Sequence, residues 1–114
     1  LRRQRQMCIR DRFMAVDIKI GKIVSVNNHP DADRLYVVNI DDGSDSGRTV
    51  CAGLKDYYSP DEMTGLHVAF VANLKPRKLR GVMSEGMMLA ADDGEGGVCL
   101  LTVDSRINPG SEVR

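Results

Sequence analysis

A chain of 114 residues can fold as one domain with a single modest core, and its 16 Lys and Arg are matched by 16 Asp and Glu. No run approaches the ~20 apolar residues of a membrane-crossing helix, and three cysteines without C-x-x-C spacing give no support to a zinc site or a disulfide framework. Phosphate-binding glycine motifs and nucleophile elbows are also missing, so neither a catalytic centre nor a cofactor site is expected.

Residues 2–12 read R-R-Q-R-Q-M-C-I-R-D-R. The codons CGT CGG CAG CGT CAG ATG TGT ATA AGA GAC followed by AG encode that string, which resembles a transposase-type sequencing adapter translated in frame. Residues 1–12 are therefore expected to be a non-native, disordered segment whose presence hides the true N-terminus, and residues 13–114 to be the domain. The alternative is a natural basic arm. Setting aside five Arg and one Asp leaves 11 cations against 15 anions in residues 13–114, a net of −4. An acidic domain of this kind can hold RNA only through a local cationic patch, with strong salt dependence. Cys51 and Cys99 each lie in an apolar run, which predicts buried free thiols and a reducing, cytoplasmic setting.

Residues 16–26, V-D-I-K-I-G-K-I-V-S-V, alternate at first and are then interrupted by Gly21, predicting a long half-buried strand with a bulge or bend at the glycine. His29-Pro30-Asp31-Ala32-Asp33 is a turn, residues 35–40 a second strand, residues 41–47 a polar mobile loop and residues 48–52 a third strand. Ser59 before Pro60, Asp61 and Glu62 predicts a helix of about two turns that Gly65 ends. Residues 66–72 form a fourth strand, residues 86–91 a fifth and residues 98–103 a sixth, with D-D-G-E-G-G between the last two. A tight turn at residues 108–111 precedes the end.

Between the fourth and fifth strands lies the most informative stretch, N-L-K-P-R-K-L-R-G-V-M-S-E-G-M-M-L-A from Asn73. Lys75, Arg77, Lys78 and Arg80 fall within six positions, after which the polarity turns apolar. Pro76 pushes Lys75 towards extended backbone, and Gly81 and Gly86 permit conformations other residues resist. The prediction is a bent, non-helical basic loop feeding a buried strand, a device by which a small β-barrel offers charge to phosphates.

Five short strands with one small helix between the third and fourth is the order of an OB-fold barrel; a short C-terminal β extension completes the predicted all-β domain. The extra strand leaves an edge that a symmetric partner would cover. His29-Pro30-Asp31 matches a cochaperone signature but lies between strands, where that motif does not occur. The acid pairs Asp31/Asp33, Asp41/Asp42 and Asp92/Asp93 sit in turns that favour Asp for backbone reasons. With only Phe13, Phe70, Tyr36, Tyr57 and Tyr58 as aromatics, stacking of several bases is underpowered, and reading RNA by shape and backbone fits better.

The ordered motifs F-M-A-V-D-I-K-I-G-K-I-V-S-V, H-P-D-A-D-R-L-Y-V, Y-Y-S-P-D-E-M, N-L-K-P-R-K-L-R-G-V-M-S-E-G-M-M-L-A-A and P-G-S-E-V-R together resemble the tRNA-binding domain at the C-terminus of many bacterial methionyl-tRNA synthetases. The same domain occurs as a free-standing dimeric tRNA-binding protein and in a peptide-binding, secretion-associated chaperone. The resemblance implies an OB-fold, homodimerisation through strands outside the barrel, and tRNA bound by shape with little sequence reading. It also implies a synthetase catalytic domain N-terminal to this one in the native chain, no chemistry here, and no membrane partner. Carried onto this chain, Lys75, Lys78 and Arg80 would meet phosphates, Ser84 and Met87 would lie in the tRNA surface, and Asn73 and Arg34 are weaker candidates. Arg77 stands where much of the family has a small residue and adds a cation whose direction the sequence leaves open.

Overall fold

A computed structural model describes residues 15–113; the expected adapter segment lies outside them, as does Phe13. The described elements are, in order, β1 (Ile18–Asn28), β2 (Tyr36–Asp41), β3 (Arg48–Ala52), α1 (Pro60–Met63), β4 (His67–Val71), β5 (Arg77–Leu79), β6 (Val82–Ser84), β7 (Met87–Met88), β8 (Ala90–Asp92) and β9 (Val98–Leu100). The main sheet is antiparallel with order β3-β2-β1-β4-β7, while β5-β6 and β8-β9 are separate hairpins. β1 serves both halves of the barrel: residues 18–22 pair with β4 and residues 22–28 with β2. Between β3 and the segment leading to β7 the ladder is replaced by single bonds. Glu85 N donates to Thr49 O (2.8 Å), and Cys51 N donates to Ser84 Oγ (3.0 Å). The result is the predicted OB-type barrel, nearly closed.

Strict alternation in β2 buries Tyr36, Val38 and Ile40, which meet Ile23, Val50, Val68 and Phe70 in the core. The Tyr36 hydroxyl donates to Tyr58 O at 2.7 Å, so its buried polar atom is satisfied. Met63 of α1 is fully buried and plugs the core from the helix side. Ser59 caps that helix as predicted. Its Oγ accepts from Glu62 N (3.3 Å), and Glu62 Oε1 accepts from Ser59 N (3.0 Å), a reciprocal capping box.

Several expectations are corrected. The β1 register shift falls at residue 24, between Ile23 and Ser25, and not at Gly21. Gly21 is instead buried in the ladder because a β-carbon there would strike Ile40 and come within 2.9 Å of Phe70. The helix has one turn and not two: Thr64 is already extended, and Gly65 takes φ +92°. The predicted fifth strand is split, because Met87–Met88 pair with β4 whereas Ala90–Asp92 turn away to pair with β9. β9 ends at Leu100, beyond which isolated bridges join Thr102 to Val68 and Glu112 to Lys19. Cys99 is exposed, since alternation along β9 sends Leu100 inward, and Cys51 is only half-buried; both thiols are free.

Chain beyond β9 finishes the edges. Ala69 N donates to Leu101 O (3.0 Å) and Val103 N to His67 O (2.9 Å) beside β4, while Val113 N donates to Ile18 O (2.8 Å) beside β1. Ile20, Ala69 and Val71 are buried on the ladder face opposite Gly21 and Val68, outside the barrel core.

Candidate nucleic-acid interface

The basic stretch is not a loop but a hairpin arm. β5 and β6 pair Arg77 with Ser84, Lys78 with Met83 and Leu79 with Val82. Their two-residue connection, Arg80-Gly81, has φ +47° and +91°, as the twist-matched type I′ turn demands. Arg80 is the one described residue other than glycine with positive φ. A cation thus occupies the position where Asn is favoured, at some cost in backbone energy.

Pleating decides where the cations go. Arg77, Leu79 and Ser84 share one face of the arm and line a groove of about 440 Å³ with Leu74, Lys75, Met87 and Cys51. Lys78 stands on the other face with exposed Met83. Arg80, at the tip, borders a second hollow of about 450 Å³ with Arg34, Asp31 and Asp33. The expected group is therefore divided: Lys75 and Arg77 meet at the groove, Arg80 and Arg34 at the neighbouring hollow, and Lys78 faces outward. Among the described residues, no carboxylate lies within 4.0 Å of any of these five cations. The ion pairs among the described residues are Lys19–Asp17 (3.7 Å), Arg48–Asp42 (3.2 Å) and Arg106–Asp104 (3.9 Å).

Two candidates prove to be bracing. Ser84 is 6% exposed, and its hydroxyl both accepts from Cys51 N and donates to Gly86 O (3.2 Å), tying the base of the arm to β3. Asn73 clamps the chain before β1: its Oδ1 accepts from Asp17 N (3.0 Å), and its Nδ2 donates to Ala15 O (2.7 Å). Met87, by contrast, is 51% exposed at the groove.

Two further side chains act as braces: His29, which the sequence places in a turn with Asp31, and Arg48, which it marks only as the start of a strand. His29 is buried, its Nδ1 accepting from Asp31 N (2.9 Å). The proton therefore sits on Nε2, which donates to Leu79 O at 2.8 Å and pins the arm one residue before Arg80. Arg48 donates through Nη1 to Ala72 O and Glu85 O (both 2.7 Å) and through Nε to Asp42, while its guanidinium lies 5.3 Å from the centre of the Phe70 ring. Alternation marked Arg48 only as the start of a strand; no local signal reveals that one side chain joins three segments. Burial alone would raise the Asp42 carboxyl, but hydrogen bonds from Ser44 and Arg48 hold it below the usual aspartate value.

The acid pairs Asp41/Asp42 and Asp92/Asp93 behave as turn formers. Gly43 N donates to Asp41 Oδ1 (2.9 Å), Gly94 N to Asp92 Oδ1 (2.8 Å), and Glu95 N and Gly97 N to Asp93 Oδ1. Among the described residues no group of three or more His, Cys, Asp or Glu could hold a metal.

An OB-type barrel that presents clustered cations on a hairpin arm is an architecture suited to binding RNA. Residues 18–112 match the family described as "Putative tRNA binding domain", and the chain belongs to that family. It is 54% identical over 104 residues to the methionine–tRNA ligase of Thermococcus kodakarensis and 42% identical to that of Parabacteroides distasonis, covering 91% of this chain in each case. The chain spans 14% and 15% of those relatives' lengths, and the synthetase motifs H-I-G-H and K-M-S-K-S are absent from it. Among solved structures, a MetRS-related protein from Pyrococcus horikoshii is similar with a TM-score of 0.85 at 32% identity, over 91% of this chain and 94% of that one. The C-terminal domain of Plasmodium vivax p43 gives 0.81 at 35%, over 85% and 58%. The CsaA chaperone of Picrophilus torridus gives 0.81 at 29%, over 91% and 96%.

Proposed function

We propose that this domain is the accessory tRNA-binding and dimerisation module of a methionine–tRNA ligase, which holds folded tRNA by its phosphates and shape and performs no chemistry itself. The observation that carries this reading is the cluster of cations on the arm and its neighbouring turn, none within 4.0 Å of a carboxylate among the described residues, in a domain of net negative charge. Lys75, Arg77, Lys78, Arg80 and Arg34 would contact phosphates, and Met87 would lie in the same surface. Ser84 and Asn73 would contribute by holding the arm in place. Keeping tRNA beside a covalently linked catalytic domain raises its effective concentration there, in the cytoplasm where translation runs.

Binding of a tRNA transcript, measured across a salt series, tests this. Four or five phosphate contacts from these five cations predict a slope of about −3 to −4.5 in log affinity against log salt. A salt-independent affinity, or a K75A/R77A/K78A/R80A variant that binds as tightly as the parent, would overturn it. Dimerisation is supported by the apolar side chains left exposed outside the barrel, Leu101, Val103, Ile107 and Val113. Leu101 and Val113 lie on segments bonded to Ala69 and Ile18, beside the buried outer face of the ladder. A free-standing tRNA-binding dimer would use the same surfaces. The apolar wall of the arm groove favours one further reading, peptide capture by a chaperone, which competition between tRNA and an unfolded peptide separates.

A further inference from the structure

The groove beside the arm has a composition that phosphate contacts alone do not call for. Leu74 and Met87 are 45% and 51% exposed on its walls, and Leu79 and Cys51 complete the apolar lining. Lys75 and Arg77 stand at the same groove, with no carboxylate within 4.0 Å of either among the described residues. Its volume of about 440 Å³ falls within the range of about 300–1,000 Å³ typical of small-ligand sites. Burial pushes the Cys51 thiol above its usual pKa, so that wall is a neutral thiol and adds no negative charge opposite the cations. Ser84, the polar group at this site, is already satisfied by Cys51 N and Gly86 O. The pocket thus offers apolar contact and positive charge but few hydrogen bonds with which to identify a base.

We infer that this groove takes one unpaired nucleotide of the bound RNA, its base against Leu74, Leu79 and Met87 and its phosphate between Lys75 and Arg77, without discrimination among the four bases. The inference rests on the RNA-binding reading and gives that site a specific ligand, a nucleotide turned out of a loop. Charge complementarity chooses this occupant over an apolar peptide, because two cations at an apolar pocket match a nucleotide's flat base and adjoining phosphate. Sequence tolerance follows, since every base has an apolar face.

Two measurements on the full chain test it. In tRNA titrations, L74A/M87A is expected to lose about tenfold in affinity while keeping the parent's salt slope, because a base contact releases no counterions. K75A/R77A should instead flatten the slope by about 1, because the two cations hold the same phosphate. Both walls are half-exposed, so their truncation spares the core; a parental urea midpoint for L74A/M87A checks this. In amide NMR titrations, 5′-AMP and 5′-UMP are each expected to shift Leu74, Leu79 and Met87 along with Lys75 and Arg77, whereas inorganic phosphate shifts only the two cations. If L74A/M87A binds tRNA like the parent, or if mononucleotides reproduce only the phosphate pattern, the nucleotide site is wrong while the RNA-binding reading stands. If the parent fails to bind tRNA at low salt, the RNA-binding reading itself falls. An unfolded peptide that shifts the groove residues while mononucleotides do not would overturn the proposal in favour of peptide capture.

Discussion

Arg48 and His29 show how single side chains tie the cationic arm and its neighbouring strands to the barrel. Arg48 uses the planar fork of its guanidinium to join Ala72, Glu85 and Asp42, and Lys cannot reproduce that geometry. Arg48→Lys should therefore destabilise the fold by about 2–3 kcal/mol, as read from urea unfolding. His29→Phe fills the space but leaves Leu79 O and Asp31 N unpaired. The expected cost is about 1–3 kcal/mol, with a loss of tRNA affinity that persists in urea-free buffer where the variant is folded. A variant that matches the parent in both assays would show that His29 does not brace the arm. Asp42, Glu62 and Asp93 are all held below their ordinary pKa values by hydrogen bonds that outweigh burial where burial opposes them. For such groups stability is fully present above the unfolded value, 4.5 for Glu62 and 3.8 for the two aspartates, and is lost as pH falls through the lower folded values. The urea midpoint should accordingly fall on acidification below pH 4.5, and Asp42→Asn should make that fall shallower.

At the scale of elements, the arm and the short helix show opposite uses of local chemistry. In α1 the capping box and Pro60 agree with the backbone, and a single turn suffices because its task is to seat Met63 in the core. In the arm, Arg80 works against its own backbone. Replacing it tests the two terms separately. Arg80→Asn supplies the preferred Asn-Gly pair for the turn, so thermal stability should hold or rise by about 0.5 kcal/mol, while the salt slope of tRNA binding should shrink by about 1. A slope equal to the parent's would remove Arg80 from the contact surface. Pleating makes a comparable prediction for the neighbouring pair. Arg77 lines the groove and Lys78 faces away from it, so an adduct or crosslink to a groove-bound nucleotide should form at residue 77 and not at residue 78.

For the whole molecule, net charge and edge coverage set the behaviour. Residues 13–114 carry −4, so raising salt screens repulsion from the body of the domain as well as attraction to the arm. The measured slope sums the two, and its change on removing an arm cation isolates the arm's share. The exposed apolar residues after β9 predict a dimer in sedimentation, and Leu101→Glu with Val103→Glu should give monomers that still bind tRNA through the arm, with lower avidity. The all-β class, the strand–helix order, the Ser59 cap and the concentration of cations near the arm were all legible in the chain, because alternation, capping and turn chemistry are local properties of consecutive residues. Tertiary structure alone decided that Gly21 makes room for Ile40 and Phe70, that Ser84 closes the barrel and that the fifth strand divides between two sheets. It also decided that four neighbouring cations serve three different surfaces. Each of these depends on which distant segment arrives beside a residue, a fact set by barrel closure and carried by no pattern along the chain.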